Sequence, residues 1–239
     1  MIPTLPVLAM VLGAYATVFR NLGTLTRASF LPMLVLISLV GLEVATEPGI
    51  LLSLLFWLAG LPFAALIAVA CHRVVLLGPD SLDSPWSMFW SNRESSFFVW
   101  LIILGITLYI AGLVIGTVFL MAPDGVIRFV LTVFAITYIE GRFSMVLPAT
   151  AIGNRMFLSN SWYLTAGNGP RIAIALLLPL AALWGVVSLS GTLMLVVPLA
   201  VYITIIVISF LITIAVEIAV LSLSYQFLRD STQTPMSEG

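Results

Sequence analysis

Four ionisable side chains sit inside or at the ends of apolar runs, and they are the groups best placed to do chemistry. Glu217 lies between Val216 and Ile218 in the longest such run. Glu140 and Arg142 lie near the end of another, and Arg73 near the end of a third. A charge at mid-bilayer costs roughly 2.5–3.5 kcal/mol on insertion scales. Such a group must be protonated, paired or close to the membrane surface. The spacing predicts an ion pair between Glu217 and Arg142 or Arg73, with Glu140 a second partner for Arg73, locking three spans together. A proton or substrate relay and a solvated, interfacial Glu217 are the other two readings.

The remaining candidates for catalysis do not converge. His72 is the only histidine, so no HExxH zinc site can form. Cys71 adjoins His72, but neighbours on a helix point about 100° apart and make no dyad. Gly167-Asn168-Gly169 runs into Pro170 and lacks the third glycine of a dinucleotide loop. No P-loop occurs. An enzyme needs convergent acid, base or nucleophile groups, so the expectation is a protein that is not an enzyme and carries no metal or cofactor.

The elements that position these residues follow from composition. Of 239 residues, 62% are hydrophobic and 8% charged, with a mean hydropathy of +1.21. Soluble domains keep roughly a quarter of their residues charged. A spanning helix needs about 20 apolar residues. In lipid the backbone must be satisfied within each segment, which favours helices over the short strands of a barrel. The fold class expected is all-α, a polytopic transmembrane bundle of six spans with interfacial amphipathic helices.

One membrane domain is expected over 1–228. An interfacial helix takes 4–27, with a re-entrant first span as the alternative. The spans are expected at about 28–45, 50–77, 96–121, 127–149, 171–189 and 194–227, the last too long for one upright crossing. Trp86, Phe89 and Trp90 recur at helical spacing and suggest a short helix at headgroup depth. Phe157 to Ala166 suggests another, with Gly167 ending it and Pro170 stopping it. Ser190-Gly191-Thr192 is expected to break the fifth span, and Met121 to Gly125 to form a turn. The tail 229–239 reads as disordered and cytoplasmic. No basic n-region precedes the first apolar run, so the chain is expected to begin near Met1 without a cleaved signal.

Orientation comes from the cations. All nine are arginine. Arg20, Arg27, Arg73, Arg93, Arg142, Arg155, Arg171 and Arg229 fall on the side of the N-terminus, and only Arg128 falls opposite. The positive-inside rule then places both termini in the cytoplasm. Arginine also clamps phosphate and carboxylate with two hydrogen bonds, which suits contact with anionic lipid headgroups; a coding bias toward arginine is the plainer cause. No basic run points to nucleic acid.

Small residues mark where helices can approach. Gly112 and Gly116 form a GxxxG element, with Gly105 one heptad earlier, and Gly60, Ala64 and Ala68 recur at spacing four. They pack spans within the chain, or serve a second copy or a foreign subunit. Pro32, Pro62, Pro148, Pro179 and Pro198 lie in or near spans and shape the bundle.

Four stretches carry a resemblance: His72 to Gly78, Arg93-Glu94, Arg142 to Ala149, and Ser161 to Gly169. Together they resemble a bacterial family of uncharacterised multi-span inner-membrane proteins, itself similar to the membrane domain attached to some glycerophosphodiester phosphodiesterases. The resemblance covers roughly 15–225. It implies a six-span bundle with interfacial helices in the inner membrane. It does not imply the phosphodiesterase activity, whose catalytic barrel lies outside that domain. The function expected is a scaffold, assembly factor or accessory subunit working through helix packing and anionic-lipid contacts. The alternative is a small transporter or channel for a lipid-like or apolar solute.

Overall fold

The computed structural model describes residues 4–83, 88–119, 125–193 and 198–233. The helices are α1 (Val7–Arg20), α2 (Leu22–Thr46), α3 (Ile50–Leu77), α4 (Asn92–Phe119), α5 (Gly125–Phe143), α6 (Val146–Ala151), α7 (Leu158–Leu164), α8 (Gly169–Leu193) and α9 (Leu199–Gln233). All regular structure among the described residues is helical, with a single 3-10 turn at Pro79–Ser81. Six segments are long and apolar enough to cross a membrane: α2, α3, α4, α5 with α6, α8 and α9. The all-α bundle expected from composition is present.

Local chemistry sets the breaks, and several differ from expectation. The helix expected over 4–27 is interrupted at Asn21, whose side chain and backbone N–H both turn back onto the Thr17 carbonyl at 2.9 and 3.1 Å. Residues 22–27 therefore belong to α2. Gly78, at φ 91°, ends α3 in a conformation that suits glycine. No helix forms over 88–91, which corrects the expected helix around Phe89 and Trp90; Trp86 lies outside the described residues, as do residues 121–124 of the expected turn. Pro170 does not stop a helix but sits in the first turn of α8, where its missing N–H costs nothing. Ser190-Gly191 does not break α8, because Ser190 Oγ bonds the Val187 carbonyl of its own helix. The helix α9 runs on to Gln233, so 229–233 is not disordered tail.

Pro148 explains the division of α5 from α6. Its ring displaces the carbonyl four residues back and offers it no N–H. That carbonyl belongs to Ser144, which is taken instead by the Leu147 N–H at 3.0 Å. The chain bends there and restarts as α6. Pro32, Pro62 and Pro179 are accommodated inside continuous helices.

The spans α3, α4, α5, α8 and α9 pack in sequence, and α3 meets α9 to close the ring. The short helix α1 lies on α8 and α9, and α2 packs mainly on α3. With 35 residues, α9 measures about 52 Å at 1.5 Å per residue. That exceeds the about 30 Å of hydrocarbon, so the helix tilts or carries one of its ends past it.

Burial is lopsided. The buried cluster draws on Val74, Ile172, Val220 and Tyr225, in the arginine-bearing halves of their helices, with Met145 at the bend between α5 and α6 and Val216 midway along α9. The other ends are bare: Ile50 is 90% exposed and Val126 71%. Glycine placement follows the same split. A Cβ on Gly169 would stand 2.5 Å from the Tyr138 ring, and one on Gly141 would stand 2.7 Å from Ile172. These two glycines let α5 and α8 touch. Gly60 meets Leu36 at 3.1 Å and Gly112 meets Ile136 at 3.6 Å, whereas Gly105 and Gly116 face open space. Ala64 and Ala68 are half-buried.

Gly169→Ala and Gly141→Ala should each lower stability by about 1–3 kcal/mol through overpacking, read by reversible unfolding in mixed micelles. Gly105→Ala and Gly116→Ala should be neutral or stabilising by up to about 1 kcal/mol, from helix propensity. Equal effects at all four would mean that α5 and α8 do not approach as described.

Candidate functional site

The polar groups of the arginine-rich end are arranged around helix C-termini, whose last carbonyls lack partners inside the helix. Arg142, at the end of α5 and 6% exposed, sends Nη1 to the Thr165 carbonyl at 2.9 Å and Nη2 to the Trp162 carbonyl at 2.8 Å. Both carbonyls belong to the last turn of α7. The guanidinium lies 3.9 Å from the centre of the Trp162 ring, a cation–π contact. The exchange is reciprocal: Ser161 Oγ donates to the Arg142 carbonyl at 2.7 Å, a carbonyl freed by the bend before Pro148.

Arg73 repeats the device. Its Nε donates to the Ser81 carbonyl at 3.0 Å, with Nη2 on the same oxygen, and its Nη1 reaches the Ala151 carbonyl at 3.4 Å. One guanidinium thus closes the 3-10 turn and the end of α6. At the start of α8, Asn168 Oδ1 accepts the Leu5 N–H at 2.8 Å and Arg171 donates to the Leu5 carbonyl at 3.1 Å. The segment before α1 is thereby pinned, with Leu5 fully buried.

The ion pair expected among Arg73, Glu140, Arg142 and Glu217 does not form. Among the described residues the ion pairs are Arg93 with Asp83, Arg93 with Glu94, and Arg229 with Asp230. Both arginines expected to pair are taken by backbone carbonyls. Glu217 instead lies within electrostatic range of Glu140 and of Tyr15. Its Oε1 is buried without a hydrogen-bond partner among the described residues, so that oxygen is not solvated. His72 and Cys71 do not face one another: His72 Nδ1 meets Ser222 Oγ of α9 at 2.7 Å, and Cys71 Sγ meets the Ala215 carbonyl at 3.7 Å. Both join α3 to α9.

One polar arrangement was written in the sequence and passed over. Ser91-Asn92-Arg93-Glu94 is a capping box: Glu94 Oε2 accepts the Ser91 N–H at 2.9 Å at the start of α4, and Ser91 Oγ accepts the Arg93 N–H at 3.2 Å. Arg93 then reaches Asp83 and ties the preceding loop to the helix. The Arg93 hydrogen bond holds the Asp83 carboxyl below its usual value of 3.8. Its stabilising contribution is therefore complete above that value and fades as pH falls through the lower folded one. Because Asp83 is half exposed, the contribution is under about 1 kcal/mol.

Two places remain chemically open: the Glu140 and Glu217 carboxyls, and a groove between α7 and the end of α9 that holds Arg155 and Arg229. Among the described residues no cluster of three metal-ligating side chains occurs. Comparison with family models, with curated proteins and with solved structures finds no match. The functional reading therefore rests on this geometry.

Arg142→Gln should destabilise the fold by about 1–3 kcal/mol through the loss of two charge-assisted hydrogen bonds, although the Asn168 N–H still serves the Thr165 carbonyl and Thr165 Oγ1 the Trp162 carbonyl. Combined with Glu217→Gln the two losses should add, with a coupling energy under about 0.5 kcal/mol. A larger coupling would restore the ion pair.

Proposed function

We propose that this chain is a non-enzymatic integral membrane protein that serves as a scaffold, assembly factor or accessory subunit. Six apolar helices make it a multi-pass membrane protein. The finer reading places it in a bacterial inner membrane with both termini cytoplasmic. Eight arginines against one support that orientation, and the resemblance of the His72 and Ser161 stretches to inner-membrane proteins agrees with it. The arginine-rich end would face an anionic leaflet, where each cation near the surface is worth about 1 kcal/mol.

The observation that carries the reading is the asymmetry of packing. One end of the bundle is cross-tied and buried. The other presents apolar helix surface that the described residues do not cover, Tyr109 and Leu113 of α4 among it, with Gly105 and Gly116 open on the same side of that helix. A rigid base with small-residue helix faces suits close packing of another helix. The second reading, a small transporter or channel for a lipid-like or apolar solute, is favoured by the buried Glu217 oxygen near Glu140, since intramembrane acids without arginine partners mark ion and proton paths elsewhere.

A photo-crosslinking amino acid at Tyr109 or Leu113, activated in native membranes, should capture a protein partner or a second copy in stoichiometric yield. Lipid adducts alone at both positions, together with proton leak in proteoliposomes that vanishes in Glu217→Gln, would overturn the scaffold reading in favour of transport.

A further inference from the structure

A groove of about 620 Å³ opens beside α7, between the loop that precedes it and the last turns of α9. Arg155, Asn160 and Tyr163 line one side, and Tyr225, Arg229 and Thr232 the other. Met156 and Leu164 add apolar surface. The groove lies at the arginine-bearing C-terminal end of α9. Its volume falls in the range of small-molecule sites.

The two guanidiniums here differ from those that cap helices. Arg73, Arg142 and Arg171 are engaged by carbonyls of this chain. Arg155 is exposed and makes no hydrogen bond or ion pair among the described residues. Arg229 gives Nε and Nη2 to Asp230 Oδ1, both at 3.0 Å, and lies 5.6 Å from the Tyr225 ring. Two cations against one carboxylate leave the groove positive, and hydroxyl and amide groups stand beside them. Guanidinium forks match the oxygens of a phosphate.

The surroundings indicate where the phosphate comes from. Tyr163 lines the groove and is 77% exposed, with the apolar Met156 and Leu164 beside it. Exposed aromatics gather at headgroup depth, where one face is apolar and the other wet. A free anion has no use for an apolar rim; a phospholipid does, because its acyl chains must leave the headgroup along apolar surface.

We propose that this groove binds the phosphate group of an anionic phospholipid, with Arg155 and Arg229 as its two charged contacts. The proposal deepens the reading of an anionic-lipid face and rests on it.

Native mass spectrometry of the full-length chain in neutral detergent tests it, with phosphatidylglycerol, phosphatidylcholine and inorganic phosphate as probes. Wild type should hold one phosphatidylglycerol in preference to phosphatidylcholine, and inorganic phosphate should not displace it. Arg155→Gln and Arg229→Gln should each weaken that binding about tenfold, the loss of one charge-assisted hydrogen bond. Arg27→Gln, an exposed arginine outside the groove, should leave it unchanged. Because Arg155 makes no hydrogen bond or ion pair among the described residues, its variant stays interpretable even if Arg229→Gln misfolds. Wild-type affinity in Arg155→Gln, or displacement by inorganic phosphate, overturns the proposal. Equal weakening by Arg27→Gln and Arg155→Gln overturns the groove but leaves a diffuse anionic face. No preference for phosphatidylglycerol overturns both.

Discussion

The structure depends on guanidinium groups that close the ends of helices. A helix that stops in or near lipid leaves carbonyls that water cannot reach, and an unsatisfied carbonyl there costs several kcal/mol. This chain stops helical turns repeatedly at one end, at Ser81, Ala151 and Leu164. Arg73 and Arg142 each bridge two of the resulting carbonyls. A planar fork does this with a fixed geometry, whereas a lysine ammonium offers a single flexible point. The cations also sit at the negative ends of helix dipoles, which favours them electrostatically. Once so used, both guanidiniums hold carbonyls instead of Glu217, and Arg142 Nε is left buried without a partner among the described residues.

From that constraint follows the division of the bundle into a stiff end and a bare end. The caps hold α6, α7 and the 3-10 turn against α3, α5 and α9, and the buried side chains gather around them. The tight glycines, Gly141 and Gly169, fall in the same layer. His72 and Ser222 add a polar tie between α3 and α9 at its centre. Away from this layer the helices have only each other's apolar surface. A bilayer exerts no hydrophobic force to draw those surfaces together, so the packing thins where the polar ties end.

Much of this was legible in the sequence. Run length and arginine sorting marked six crossings and a polar end, because both follow from solvation of single segments. The corner at Asn21 was not legible, since neither glycine nor proline marks it and the turn depends on an asparagine folding back on Thr17. The continuity of α8 through Ser190 and Gly191 was misread, because a hydroxyl that bonds its own helix does not break it. The ion pair was inferred from depth alone, and depth says nothing of the carbonyls competing for the same arginine. Gly141 and Gly169 belong to no regular stripe; their partners, Ile172 and Tyr138, lie across the helix pair. By contrast Gly105 and Gly116 fit the motif, yet a side chain added at either would meet nothing among the described residues. The Ser91-Glu94 box was readable from spacing alone.

Amide hydrogen exchange of the full-length protein in nanodiscs bears most directly on the arginine caps. If they hold the polar end together, residues 158–168 exchange as slowly as residues 213–228 in the wild type, although α7 is only seven residues long and partly exposed. Arg142→Gln then releases 158–168 while 213–228 stays protected. Rapid exchange of 158–168 in the wild type, or unchanged protection in the variant, would contradict the account.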